Sequence, residues 1–465
     1  MKNVLKLVIL FLLMLPLGCD DMDDNAVPKS LAVKDFVWKG MNLYYLWQGD
    51  VPDLADNRFA TQNQLNIYLE DFDDPVTLFN ALRIDNSIDR YSVIYTDYRV
   101  LEGVLSGNTL NNGMDYGLRY KNGSTTDIYG WVRYIIPNSD AASKPIARGA
   151  IFYAINGTPL TIDNYRELLA NDTYTVNLAN YDGGNITPNG TSVTLTKTAL
   201  QENPILLSSV INQGSHTIGY LMYNGFYSSY DSQLNAVFGN FQAQNVTDLV
   251  LDLRYNSGGS VNTAAKLGSM ITGQFPGQLF SRQQWNAKAQ SYFEDNDPGS
   301  LVNNFVSGLN SLNLNKVYIL TTKASASASE LVINCLKPYI TVVQIGDVTT
   351  GKNVGSVTLY DSPTFAKQNV NPNHKYAMQP IVLKVVNKDG FGDYTSGIQP
   401  NTLLPENITN LGILGDINEP LLQEAISQII ASGRRPPQVP ALIERDFTDA
   451  KAIHPLRSEM YVERK

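Results

Sequence analysis

Leu249-Val250-Leu251-Asp252-Leu253 has a single polar residue in a run of five. A run this short and this apolar fits a strand covered on both faces, and such strands belong to largely parallel sheets flanked by helices. Val317-Tyr318-Ile319-Leu320-Thr321 and Ile340-Thr341-Val342-Val343-Gln344-Ile345 repeat the pattern, and Ile218-Gly219-Tyr220-Leu221-Met222 adds a further strand. Between them the apolar spacing predicts helices over Tyr230–Gln242, Val261–Ile271 and Ser327–Leu336. Alternating strands and helices predict an α/β layer, here over residues 201–435, ending at Arg434-Arg435-Pro436-Pro437.

The rest of the chain reads differently. Residues 35–102 are helical in pattern, with Phe36, Trp38, Met41, Tyr44, Tyr45 and Trp47 mostly three or four apart. Residues 103–200 are glycine-rich and made of short β-prone runs, with Asn156-Gly157 as a tight turn between two of them. Residues 20–34 read as a linker and 436–465 as a mixed-charge tail. At the start, Lys2 and Lys6 accompany an apolar run from Val4 to Leu17, the length of a signal-peptide core and short for a bilayer span. It ends in Leu15-Pro16-Leu17-Gly18-Cys19, which resembles the lipobox of bacterial lipoproteins, with Pro16 in place of the usual Leu. The resemblance implies a signal peptide over 1–19, lipidation of Cys19 and an outer-membrane anchor; the alternative is an ordinary secretory peptide. The acidic Asp20-Asp21-Met22-Asp23-Asp24 resembles the export signal of some surface lipoproteins of Bacteroidetes, and otherwise reads as a solvated linker.

Composition closes off several function classes. The 35 Lys and Arg against 44 Asp and Glu give a net charge of −9, with no basic block, so phosphate-driven binding of nucleic acid is not expected. Two cysteines exclude a disulfide framework, and three histidines make a multi-histidine metal centre a poor reading. No metal and no cofactor are expected. The partners expected are polypeptides, and the oligomeric state is open.

Three segments of the α/β region carry chemistry-bearing residues. Asp252-Leu253-Arg254-Tyr255-Asn256-Ser257-Gly258-Gly259 follows a buried strand, and glycines there let backbone N–H groups face an oxyanion. Taken alone it is a turn. Ala324-Ser325-Ala326-Ser327-Ala328-Ser329-Glu330 opens a helix, where N–H dipoles favour negative charge; on its own, Ser327 to Glu330 is a capping box. Thr349-Thr350-Gly351-Lys352-Asn353-Val354-Gly355 lies between two strands, and its Gly-Lys lacks the upstream glycines of a phosphate loop.

In this order the three segments resemble the C-terminal processing peptidases, also called tail-specific proteases, whose members carry an Asp-Leu-Arg-x-Asn-x-Gly-Gly turn, a Ser-Ala-Ser-Glu helix start and a Gly-Lys loop. The resemblance implies an α/β fold with a ClpP/crotonase-like peptidase core, a PDZ-like β-rich domain upstream and a small helical N-terminal domain. It implies catalysis by Ser327 with Lys352, 25 positions later (352 − 327), and an oxyanion hole from Gly258, Gly259 and Ala328. Gly117, Leu118 and Arg119 resemble the PDZ loop that holds a peptide's C-terminal carboxylate, and Asn138 to Gly157 the domain's second half. Ile88-Asp89-Arg90-Tyr91-Ser92 resembles the end of the family's helical domain. Where many members place a lysine-orienting Gln four residues after the Lys, this chain has Ser356; Ser356 or Asn353 would have to take that role.

The implied reaction is peptide hydrolysis through an acyl-enzyme. A serine needs a base, and a lysine serves only when neutral, which requires its pKa to fall from about 10.4 towards about 7–8. A Ser-His-Asp triad would have to draw on His216, His374 or His454, none of which lies in a motif. Two other readings stand beside the peptidase: a surface peptide-binding lipoprotein with a catalytically silent core, and an acyl-transfer or hydratase relative of the same fold class.

Overall fold

The computed structural model describes residues 27–430, 445–453, 456 and 459–463. Residues 1–19 with Cys19, read from sequence as a signal peptide, residues 20–26 of the expected linker, Arg434 to Pro437 and His454 lie outside the described residues. The chain divides into two compact units, one ending at Ile88 and one running from Asp89.

The first unit is helical. Its helices are α1 (Ala32–Tyr44), α2 (Gln62–Glu70) and α3 (Pro75–Ala81). Phe36, Val37, Met41 and Tyr44 line the buried face of α1, at the spacing that brings helical side chains onto one stripe. Thr61 caps α2 by accepting from the Gln64 N–H. Asp74 caps α3 by accepting from Val76 and Thr77, with Pro75 at the first helical position, where no N–H is needed.

The second unit holds three sheets relevant to function. The first is built from β1 (Met114–Tyr120), β2 (Ile128–Ile135), β3 (Ile151–Ile155), β4 (Thr173–Tyr181) and β5 (Ile186–Thr196), with helix α4 (Tyr165–Ala170) between β3 and β4. The second contains β6 (Ile205–Gln213), β7 (His216–Tyr223), β8 (Asp248–Asp252), and later strands of the expected α/β layer. Helix α5 (Asp231–Ala243) joins β7 to β8. After β8 come β9 (Gly258–Ser260), α6 (Val261–Thr272), β10 (Leu279–Trp285), β11 (Val302–Asn304), β12 (Lys316–Thr321), α7 (Ala328–Leu336), β13 (Thr341–Gly346), β14 (Val354–Ser356), β15 (Ile381–Val386), β16 (Thr402–Leu403) and α8 (Pro420–Ile430). Two strands lie in the region read as a tail: β17 (Asp446–Asp449) and β18 (Glu459–Tyr461).

The α/β layer has strand order β6-β7-β8-β12-β13-β16, parallel from β7 onward. Its apolar runs are buried as expected: Leu249, Val250 and Leu251 of β8 and Val317, Ile319 and Leu320 of β12 are within the core. Tyr220, Met222, Val250, Leu320 and Ile345 share one cluster with Tyr129, Trp131 and Tyr134 of the first sheet, so the two sheets pack over a common core. The third sheet runs β9-β18-β14-β15-β10-β11. The first sheet runs β17-β1-β2-β3-β4-β5. The segment after Glu444 is therefore not a loose tail where it is described, since it contributes a strand to each of two sheets.

Candidate active site

The turn after β8 is fixed by the residues of its motif. Arg254 is wholly buried and bonded to Asp252 and Glu419, with Nη1 2.7 Å from Glu419 Oε1 and Nη2 2.8 Å from Asp252 Oδ2. Glu406 joins the cluster, accepting from Arg148 at 2.7 Å and from the Tyr255 hydroxyl at 2.7 Å. Burial pushes the Glu406 carboxyl up, but the Arg148 and Arg254 guanidinium groups outweigh it and hold it at about 2. Asn256 then turns the chain back: its Nδ2 donates to the Tyr223 carbonyl at 2.7 Å and its Oδ1 accepts from the Gly258 N–H at 2.9 Å. Gly259 adopts φ +138°, and a Cβ there would meet the Phe226 carbonyl oxygen at 2.4 Å, so only glycine fits.

The loop carrying Ser327 is laced to that turn. Ser325 Oγ donates to the Leu253 carbonyl at 2.8 Å, and Ser329 Oγ to the Asn256 carbonyl at 3.0 Å. The Ala326 N–H also donates to the Asn256 carbonyl, at 3.0 Å. Ser327 stands at the N-cap of α7 with φ +64° and ψ −114°, a conformation that a residue with a Cβ adopts only at a cost of about 1–3 kcal/mol. This places Ser327 on a sharp strand-to-helix turn between β12 and α7, buried from water. Such turns are where other hydrolases present a nucleophile.

Glu330 ties the serine loop to the lysine loop. Its Oε2 accepts from the Ser327 N–H at 2.7 Å and from the Lys352 N–H at 2.8 Å. Its Oε1 accepts from the Gly351 N–H at 2.6 Å and from the Thr349 hydroxyl at 2.5 Å. One carboxylate oxygen therefore carries the backbone nitrogens of both Ser327 and Lys352. Burial pushes the Glu330 carboxyl up, and the hydroxyl and N–H donors oppose that. The expected back-bond of a capping box is present, but the same side chain also fixes three residues of a second loop. Gly351, at φ +88°, leaves no room for a Cβ, which would meet the Thr395 carbonyl oxygen at 2.2 Å.

Lys352 is 1 % exposed, and its Nζ lies 4.6 Å from the centroid of the Tyr91 ring. Tyr91 is held by Asp89, which is wholly buried and accepts from the N–H groups of Tyr91 at 3.2 Å and Ser92 at 3.0 Å. Ser92 Oγ in turn accepts from the Ile381 N–H at 2.8 Å. Asp89-Arg90-Tyr91-Ser92, read in the sequence as a domain end, thus forms a turn that sets an aromatic face against Lys352. Glu330 and Tyr91 were not singled out as site residues by the sequence.

The other residues named from sequence are distributed as follows. Ala328 is the first residue of α7, directly after Ser327. Gly258 and Gly259 lie in β9, and the Gly258 N–H is already donated to Asn256. Ser356 Oγ accepts from Gln379 Nε2 at 2.9 Å and donates to the Met460 carbonyl at 3.2 Å. Asn353 Nδ2 donates to the Gly392 carbonyl at 2.6 Å. His216 and His374 each meet a carboxylate, Asp248 at 2.8 Å and Asp361 at 2.7 Å. Gly117, Leu118 and Arg119 stand in the middle of β1 rather than in a carboxylate-holding loop, paired on one side with β2 and on the other with β17. The reason is local: residues 114–120 are β-prone and mostly buried, and the ladder takes both edges of the strand.

Comparison with known proteins agrees with this architecture. Residues 217–377 match the family model described as Peptidase family S41, and residues 32–93 match Peptidase S41 N-terminal domain. A solved S41 protease from Bacteroides fragilis is similar at 26 % identity and a TM-score of 0.64, over 87 % of this chain and 98 % of that one. The photosystem II D1 C-terminal processing protease shares the fold at 16 % identity and a TM-score of 0.51, over 83 % of this chain and 95 % of that one. The chain thus belongs to the C-terminal processing peptidases, peptidase family S41, a family of serine peptidases.

Proposed function

We propose that this protein is a serine endopeptidase that hydrolyses polypeptides through a Ser327–Lys352 dyad and an acyl-enzyme. The observation that carries the reading is the Glu330 clamp, in which a single carboxylate oxygen accepts from the N–H of both Ser327 and Lys352. A lysine takes a proton only as the neutral amine, a form that a water-poor site favours. Lys352 Nζ removes the proton from Ser327 Oγ as Oγ attacks the peptide carbonyl carbon. The oxyanion that forms is stabilised by the N–H groups of Ala328 and Gly259. Gly258, whose own N–H is engaged by Asn256, shapes the turn. Lys352 then gives its proton to the departing amine. Water, deprotonated by Lys352, cleaves the ester and restores Ser327.

In this reading Cys19 carries the lipid that anchors the enzyme to the cell envelope, and the first sheet with α4 is a PDZ-like unit that receives substrate polypeptides. Hydrolysis of an unfolded protein by the chain from Asp20 onward tests the activity. Cleavage by the parent that both Ser327→Ala and Lys352→Ala abolish supports the dyad. Equal cleavage by parent and Lys352→Ala rejects it. Loss of membrane association in Cys19→Ser tests the anchor.

A further inference from the structure

The segment from Arg445 to Ile453 follows a path that a bound polypeptide would follow. β17 adds to the free edge of β1 in antiparallel register, with Arg119 opposite Asp446, Leu118 opposite Thr448 and Gly117 opposite Asp449. The Tyr120 N–H donates to the Arg445 carbonyl at 3.0 Å. Addition of a strand at a sheet edge, with side chains alternately entering pockets, is a general mode of peptide recognition. Here the pockets are filled. Phe447 lies edge-on to Tyr120 and to Tyr165 of α4, each with ring centroids 5.2 Å apart. Ala450 and Ile453 pack on the same core.

The flanking acids are matched by cations. Asp446 accepts from Arg119 at 2.7 Å and from Lys323 at 2.9 Å. Asp449 lies 3.2 Å from Arg133. Burial pushes the Asp446 carboxyl up, but Arg119 and Lys323 outweigh it and hold it below its usual value.

Residues of this segment, and β18 further along the chain, bond to sequence neighbours of Ser327 and Lys352 and to the turn at Gly258 and Gly259. Lys323 is four positions before Ser327 and bonds Asp446, while Lys451 bonds Ser257 Oγ. β18 pairs in parallel with β9, with Gly258 opposite Glu459, Gly259 opposite Met460 and Ser260 opposite Tyr461. Ser356, four positions after Lys352, donates from its hydroxyl to the Met460 carbonyl, and its own backbone carbonyl accepts from the Val462 N–H at 3.1 Å. Glu463 accepts from Ser260 Oγ at 2.7 Å and from Asn262 at 2.8 Å.

We propose that residues 445–453 of this chain are a resident ligand of the β1–α4 groove, that the groove takes extended segments with an aromatic residue between acids, and that a substrate polypeptide displaces residues 445–453 on its way to Ser327. The ligand class follows from what the groove now holds: an aromatic ring between Tyr120 and Tyr165, one acid on Arg119 and Lys323, and a second acid on Arg133. The link from groove to hydrolysis rests on the peptidase reading; the binding site does not.

The test therefore reads binding and hydrolysis separately. A fluorescent peptide with the sequence of residues 445–453 is titrated into the chain from Asp20 onward carrying Ser327→Ala, with and without Phe447→Ala. A resident ligand leaves only the open fraction of grooves able to bind, and apparent affinity falls in proportion to that fraction, so Phe447→Ala should tighten peptide binding by about 10-fold. Leu118→Cys with Thr448→Cys, neighbours in the ladder, locks the segment when oxidised. The oxidised protein should bind no peptide and hydrolyse an unfolded protein at least about five-fold more slowly, with reductant restoring both. Peptide affinity indifferent to Phe447→Ala and to the lock overturns the proposal. Peptide binding that responds as expected while no variant hydrolyses substrate keeps the groove and rejects the peptidase reading.

Discussion

Glu330 and Glu406 are both buried carboxylates beside the same turn, yet they are held in opposite ways. Glu406 is surrounded by cations, with Arg148 at 2.7 Å and Arg254 at 3.2 Å, and its carboxyl is held at about 2. Glu330 instead accepts from the N–H groups of Ser327, Gly351 and Lys352 and from the hydroxyl of Thr349, and burial leaves its carboxyl raised. The first arrangement is an ionic rivet between β8, the following turn and the segment before α8. The second aligns two loops through their backbones. Such a clamp can fix where Ser327 and Lys352 sit without depending on what their side chains carry. The Asp-Leu-Arg part of the motif is thus about holding the turn, and the Ser-Glu and Gly-Lys parts about placing reactive groups.

Substitutions separate the two arrangements. The largest effect is expected at the reactive pair: Ser327→Ala and Lys352→Ala should each lower kcat by about 1,000-fold or more while the thermal midpoint moves little. Ser327→Gly should be as inactive but more stable than Ser327→Ala, by about 1 kcal/mol in denaturant titration, since glycine relieves the φ of +64°. Next is Arg254→Ala, which strands Asp252 and Glu419 and should cost about 3–5 kcal/mol. Equal stability of Arg254→Ala and the parent would break the distinction between rivet and clamp.

Glu330→Gln should act mainly on catalysis. It leaves one acceptor oxygen where two now serve four donors, and kcat should fall by about 10–100-fold with KM nearly unchanged. The smallest effect concerns Asp115 of β1, 3.7 Å from Arg133. Burial raises its carboxyl from 3.8 to about 7. The folded state therefore holds a proton that the unfolded state has lost, and stability falls as pH rises between these values. Asp115→Asn should raise the melting temperature more at pH 8 than at pH 5. An equal shift at both pH values would show that Asp115 is not held this way.

The sequence made the α/β layer legible because its strands are covered on both faces and so cannot alternate: Leu249–Leu251 and Val317–Leu320 are apolar without interruption. Ser327 and Lys352 were reachable for a different reason, the order and spacing of three motifs. Glu330 was read as a helix cap, and its bond to the Ser327 N–H agrees, but nothing local to residue 330 announces the loop at 349–352. Tyr91 escaped notice because its partner lies 261 positions away (352 − 91). Asp446 to Asp449 was read as part of a tail since four residues with a single aromatic carry little periodicity. Its strand depends on an edge elsewhere in the fold, at β1.

The measurement closest to the centre of the account is acylation of the enzyme by a small activated ester, which bypasses any groove for polypeptides. Intact-mass and peptide mapping should place the acyl group on Ser327 in the parent, show none in Ser327→Ala, and show acylation slowed by about 100-fold or more in Lys352→Ala. An acyl group on another residue, or a rate that Lys352→Ala leaves unchanged, would contradict the dyad.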